Sequence, residues 1–86
     1  MCTYLTEKLA LSGAGKGPEG WFHLTDASVY LDHPVHARPD HSLNIDFLNP
    51  AEGPSARVAI ELEVDSARAL AEAILATLDS APPGLT

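Results

Sequence analysis

The stretch RVAIELEVDSARALAEAILATL, residues 57–78, changes from the periodicity of a strand to that of a helix. In its first part, apolar residues alternate with polar ones, as expected for a strand with one buried face. In its second part, the apolar residues recur at the spacing that places them on one side of a helix: Ala67, Leu70, Ala71, Ile74 and Leu78. This stretch therefore predicts a strand followed by a C-terminal helix.

The ends of this helix also have local signals. Asp65 is predicted to be the N-cap, because a carboxylate can accept the free amides of the first helical turn. Pro82 and Pro83 are predicted to end the helix, and residues 80–86 to form a flexible tail. The apolar stripe of the helix is expected to cover the apolar side of a sheet.

Three further strands are predicted upstream, over residues 3–13, 21–32 and 42–49. The glycine-rich segment GAGKGPEG, residues 13–20, is interpreted as a turn or flexible loop between the first two. Its formal G-x-G-x-x-G pattern lacks the βαβ context of a dinucleotide site and is interpreted as accidental. The sequence thus predicts one α+β domain over residues 1–86, a two-layer sandwich of four mostly antiparallel strands and one C-terminal helix (ββββα).

Strand alternation predicts two unlike sheet faces. The apolar face is predicted to carry Val29, Leu31, Ile45, Phe47 and Ile60. The opposite face is predicted to carry Tyr30, Asp32, Asn44, Asp46, Glu61 and Glu63. If the helix covers the first face, the second face is exposed to solvent, or it forms the wall of a pocket or of a dimer interface.

Composition limits the partners of the chain. A net charge of −7 with only 5 Lys and Arg disfavours binding to nucleic acid or to an anionic membrane surface. With 86 residues, the domain buries a modest fraction of its surface, so we expect a homo-oligomer, a dimer or higher. No transmembrane segment or signal peptide is predicted, and a soluble cytoplasmic protein is expected.

The segment LDHPVHARPDH, residues 31–41, holds three of the four histidines. Its two prolines predict a loop, and a bent loop can point several imidazoles at one ion. His33, His36 and His41 are predicted metal ligands. Asp32, Asp40 or Asp46 could complete or orient the set, and Asp46 is taken as the further ligand. The metal would be a divalent transition ion, with zinc ranked first and iron second. The alternative is that these are solvent-exposed loop histidines, each bonded to a nearby carboxylate or carbonyl.

Two residues are predicted to be catalytic. Asp32, beside the histidine loop, would act there as a ligand or would orient an imidazole. Cys2 is the single cysteine, and removal of Met1 would leave its own amine as base for its thiolate. The alternatives for Cys2 are a structural thiol or a thiolate ligand beside the histidines.

The segments MCTYLTEKLALSGAGKGPEGWF, VYLDHPVHARPDHSLNIDFLNP and ARVAIELEVDSARALAEAI resemble a family of short uncharacterised actinobacterial proteins, a domain of unknown function. The resemblance spans nearly the whole chain. It implies no activity, substrate or catalytic residue for these positions.

The leading functional hypothesis is a small homo-oligomeric metal-binding protein. In its enzymatic version, the ion would acidify a bound water or polarise an oxygen of a small-molecule substrate. The alternatives are a non-catalytic interaction or oligomerisation module and an N-terminal cysteine nucleophile hydrolase.

Overall fold

A computed structural model describes residues 5–32 and 41–85 of the chain. These residues form four strands, a short 3-10 helix and one α-helix. The strands are β1 (Leu5–Gly17), β2 (Gly20–Asp32), β3 (Ser42–Leu48) and β4 (Arg57–Leu62). The 3-10 turn spans Pro50–Glu52, and helix α1 spans Val64–Asp79. The predicted ββββα order is confirmed.

The strands form one antiparallel sheet in the order β1-β2-β3-β4. Each strand pairs with the next one in sequence, so the sheet is a meander. Val29 pairs with Ile45, and Ile45 pairs with Ile60. Since directly paired residues point to the same side, this register creates the predicted apolar face.

The glycine-rich segment differs from its prediction as a loop. Residues 13–17 continue β1 and pair with β2, and the turn between the strands is only two residues long. The register shifts between Ala10 and Gly13, which marks a β-bulge. Close packing explains two of these glycines. A Cβ on Gly15 would lie 3.1 Å from the Leu24 side chain, and one on Gly17 would lie 2.8 Å from the Ser55 carbonyl oxygen.

Helix α1 begins earlier than predicted. Val64 is its first residue and Glu63 its N-cap, so the prediction of Asp65 as N-cap is wrong. Asp65 instead lies in the first turn, where its negative charge still interacts favourably with the helix dipole. The alternation predicted that Glu63 and Val64 continue the strand. Instead, β4 ends at Leu62 and the helix begins at Val64. The helix ends at Asp79 with Ser80 as C-cap, before the two prolines.

The expectation that α1 covers the apolar sheet face is also wrong. No residue of α1 is buried, and only Ala67 is half-buried. The stripe that should have faced the sheet is open to solvent, with Ile74 52% and Leu78 54% exposed. Glu63 alone separates β4 from α1.

The hydrophobic core is correspondingly small. Among the described residues, only Ala27 and Ala56 are buried apolar side chains. Within residues 5–32 and 41–85, no helix combines the length and apolar character needed to cross a bilayer.

Candidate functional site

The polar face of the sheet carries two of the predicted site residues, Asp32 and Asp46. Tyr30, Asn44 and Glu61 form one row across β2, β3 and β4. Asp46 lies in the next row, between Ser28 and Ala59. The predicted segregation of polar side chains on this face is therefore confirmed for the three strands.

Asp46 is held by two neighbours on this face. The Tyr30 hydroxyl donates a hydrogen bond of 3.2 Å to Asp46 Oδ2. The Arg57 guanidinium lies 2.7 Å from Asp46 Oδ1 and forms a salt bridge with it. The Asp46 side chain is 16% exposed and that of Arg57 is 53% exposed. Because both carboxylate oxygens already accept hydrogen bonds, a metal ion would have to compete with this ion pair.

The acidity of the Tyr30 phenol is changed by its surroundings on this face. Burial raises its pKa above the usual value near 10.0, and the negative charge of Asp46 acts in the same direction. A hydrogen bond with Asn44 and the positive charge of Arg57 act in the opposite direction. The phenol is therefore kept protonated as donor to Asp46 through the physiological pH range.

The end of the sheet next to the histidine loop is polar and buried. Asp32 is 1% exposed and pairs in register with Ser42, which is 0% exposed. The Ser42 hydroxyl donates a hydrogen bond of 2.5 Å to Asn44 Oδ1. The Asp32 carboxylate is thus shielded from solvent at the base of the connection between β2 and β3.

The structure does not bring Asp32 and Asp46 together. Asp46 pairs with Ser28, four residues before Asp32 on the same strand. At the rise of a β-strand, this separation corresponds to about 13 Å. Asp46 therefore lies well along the sheet from the base of the histidine loop.

Only one of the three loop histidines lies in the described residues. His41 directly precedes β3 and is exposed. His33, His36 and Cys2 lie outside the described residues. Within residues 5–32 and 41–85, no three His, Cys, Asp or Glu side chains are grouped closely enough to hold a metal ion. The metal, zinc or iron, and the catalytic roles of Cys2 and Asp32 stay predictions.

Sequence reasoning missed the structural role of Asn49. This residue is 7% exposed, and its side-chain amide donates to the His23 carbonyl at 2.9 Å and to Glu52 Oε2 at 2.8 Å. Its Oδ1 accepts from the Ala51 amide at 3.1 Å and so caps the 3-10 turn. The detectable signal was the Asn-Pro pair, because asparagine before the first turn of a helix is a typical N-cap.

Several large apolar side chains on one side of α1 are exposed. We call the residues Ala67, Leu70, Ala71, Ile74, Leu75 and Leu78 the helix stripe. Its larger side chains are between 42% and 61% exposed. A surface helix normally buries such a stripe against the core. The helix stripe is therefore not buried, although its apolar composition predicts that it packs against another surface.

Comparison with known proteins identifies one family. A family model described as a family of unknown function, DUF6295, matches residues 1–86. No match was found among curated proteins or among solved structures.

Proposed function

We propose that this chain, which belongs to the DUF6295 family of unknown function, is a self-associating interaction module that forms a homodimer. The observation that carries the proposal is the exposed helix stripe. Large contiguous apolar patches are rare on soluble monomers and mark interaction sites. Interaction is the function that the described residues support best.

The exposed apolar side chains of α1 are continuous along the helix. Leu70, Ile74, Leu75 and Leu78 are between 42% and 61% exposed, and they span more than two helical turns. An apolar ridge of this kind is what a helix buries when it binds a partner through a groove or face.

The small core supports the same conclusion. Ala27 and Ala56, the buried apolar residues of the described chain, contribute little apolar area. A domain of this size folds with a narrow stability margin even when its helix packs on its sheet. Burial of apolar surface between copies would supply the missing stabilisation.

Multi-angle light scattering over a wide range of protein concentrations tests this proposal. We expect a particle of about twice 9.1 kDa that dissociates on dilution. A mass of 9.1 kDa at every concentration, with the protein folded by circular dichroism, would refute self-association.

A metal site in the histidine loop is the second candidate. The register pairs Asp32 with Ser42, so one short connection between neighbouring strands contains His33, His36 and His41. Asp32 places a shielded carboxylate at the base of this connection. Three imidazoles with a carboxylate nearby are a donor set suited to zinc or iron.

Elemental analysis of protein purified without an affinity tag tests the metal site. We expect one transition-metal ion per chain, or per dimer if the copies share it, and its loss in His36→Ala. His23→Ala is the matched control, because His23 is an exposed histidine of β2 outside the loop. Equal metal content in both variants, or no metal in the parent protein after zinc or iron supplementation, would rule out the loop site.

A further inference from the structure

We infer that helix α1 of each copy packs on the apolar sheet face of the other copy. This inference rests on the proposed self-association and specifies its geometry. The apolar sheet face is defined by nine residues of β2, β3 and β4: Ala27, Val29, Leu31, Leu43, Ile45, Phe47, Val58, Ile60 and Leu62. The helix stripe of the second copy packs on this face.

The apolar sheet face needs a cover. Of its nine residues only Ala27 is buried, and the others are half-buried. Within a sheet, strand neighbours cover the flanks of such side chains but not their tips. Helix α1 is the largest other element of the described chain and approaches β3 of its own sheet. Its stripe nevertheless stays exposed, so its own helix leaves this face half-buried.

The two surfaces are chemically alike. The nine face residues and the six stripe residues contain no charged side chain. Docking one on the other would place no charge at the centre of the interface, where burying an unpaired charge is costly. The charge on this side of the sheet, Glu7, pairs with Val29 from the edge strand β1 and is exposed. Among the charged residues of α1, Arg68 flanks the stripe beside Leu75, and Glu72 lies farther round the helix.

The two surfaces also match in length. Helix α1 has 16 residues and is therefore about 24 Å long. Strand β3, which runs through the middle of the face, has 7 residues and spans about 23 Å. One helix can lie along the whole face.

A two-fold arrangement closes all the open surfaces at once. In an isologous dimer, the helix of the first copy covers the second sheet while the helix of the second covers the first. Helix against helix would leave both sheet faces open. Pairing through the edge strands β1 or β4 would leave both sheet faces and both helix stripes open. The exchange is therefore the geometry that buries the most apolar surface.

Crosslinking between differently substituted copies tests the geometry. In a Cys2→Ser background, which removes the single native cysteine, one chain carries Ile74→Cys and the other Ile45→Cys. The two proteins are unfolded together, refolded as a mixture and oxidised. We expect a disulfide-linked heterodimer between the helix of one chain and the sheet of the other.

Two matched controls use the opposite sides of the same elements. Glu72→Cys replaces Ile74→Cys, because residue 72 faces away from the stripe. Ser28→Cys replaces Ile45→Cys, because Ser28 lies on the polar face. We expect at least a tenfold lower yield of crosslinked heterodimer with either control.

The outcomes separate this inference from the proposed function. A dimer by light scattering whose Ile74→Cys chains link to each other and not to Ile45→Cys overturns the exchange and leaves self-association standing. A dimer that crosslinks equally with the controls also overturns it. A monomer in which Ile45→Cys and Ile74→Cys on one chain form an internal disulfide overturns both.

Discussion

Gly17 and Ser55 approach so closely that a Cβ atom on Gly17 would lie 2.8 Å from the Ser55 carbonyl oxygen. The same Cβ would lie 3.3 Å from the Arg57 carbonyl oxygen. The end of β1 therefore meets the beginning of β4, although these two strands lie at opposite edges of the sheet. The sheet must curve to bring its edges together, and glycine permits the contact because it has no side chain.

Gly17→Ala should destabilise the fold. Its new methyl group would meet two backbone oxygens, which cannot rotate away, so we expect a loss of about 1–3 kcal/mol in the free energy of unfolding. Urea unfolding followed by circular dichroism measures it. Gly13→Ala is the control, because its Cβ would have no atom within 4 Å. An equal loss in both variants would show that backbone freedom, and not the contact with Ser55, decides the choice of glycine.

Asn49→Ala should lower the free energy of unfolding about as much as Gly17→Ala, because it removes hydrogen bonds. The change removes the bonds to the His23 carbonyl, to Glu52 and to the Ala51 amide at a buried position. We expect a loss of about 1–3 kcal/mol in unfolding free energy, because buried polar groups would be left without partners. Glu52→Ala removes one of the three bonds at an exposed residue, so its loss should be below about 1 kcal/mol. A smaller effect in Asn49→Ala than in Glu52→Ala would contradict this account.

Ile74→Asp should weaken the proposed dimer. A charge in the middle of the helix stripe would have to be desolvated at the interface, so we expect the dissociation constant to rise at least about 100-fold. Sedimentation equilibrium measures the constant. Ala69→Asp adds the same charge to the other side of α1 and should change it less than about threefold. Equal dissociation constants for Ile74→Asp and the parent protein would place the interface elsewhere.

Alkaline pH should reduce the stabilising effect of Tyr30. The pKa of Tyr30 is raised in the folded protein. Its contribution to the free energy of unfolding is therefore complete below about pH 10, the pKa in the unfolded chain, and is lost as the pH rises through the pKa in the folded protein. The difference in unfolding free energy between the parent protein and Tyr30→Phe should therefore fall as pH increases from about 9 to 11. Guanidinium unfolding at each pH measures this difference. A difference that grows over this range would mean that the folded pKa is lowered.

Much of the fold could be predicted because its signals are local. Alternation in residues 57–62 and helical spacing in residues 66–78 identified β4 and α1, and the same reasoning gave the polar and apolar faces. The glycine segment was misread because close approach to Ser55 is a tertiary contact. The direction of α1 was misread for the same reason, since an amphipathic stripe does not say which surface it meets.

The candidate site was predictable only in part. Asp32 and Asp46 were correctly placed on the polar side of the sheet, but composition could not show that Asp46 is already engaged with Tyr30 and Arg57. The metal-ligand set depends on the histidine loop, where His33 and His36 lie outside the described residues. Asn49 was missed because its partner, the His23 backbone, is distant in sequence.

The meander order of the strands has a consequence for how the protein folds. Every strand pairs with its neighbour in sequence, so the sheet can form by successive hairpins and needs no crossover connection. In the proposed dimer, the encounter of two finished sheets is a bimolecular step, and its rate depends on protein concentration. Refolding should therefore show a fast, concentration-independent phase followed by a slower phase that accelerates as more chains are present.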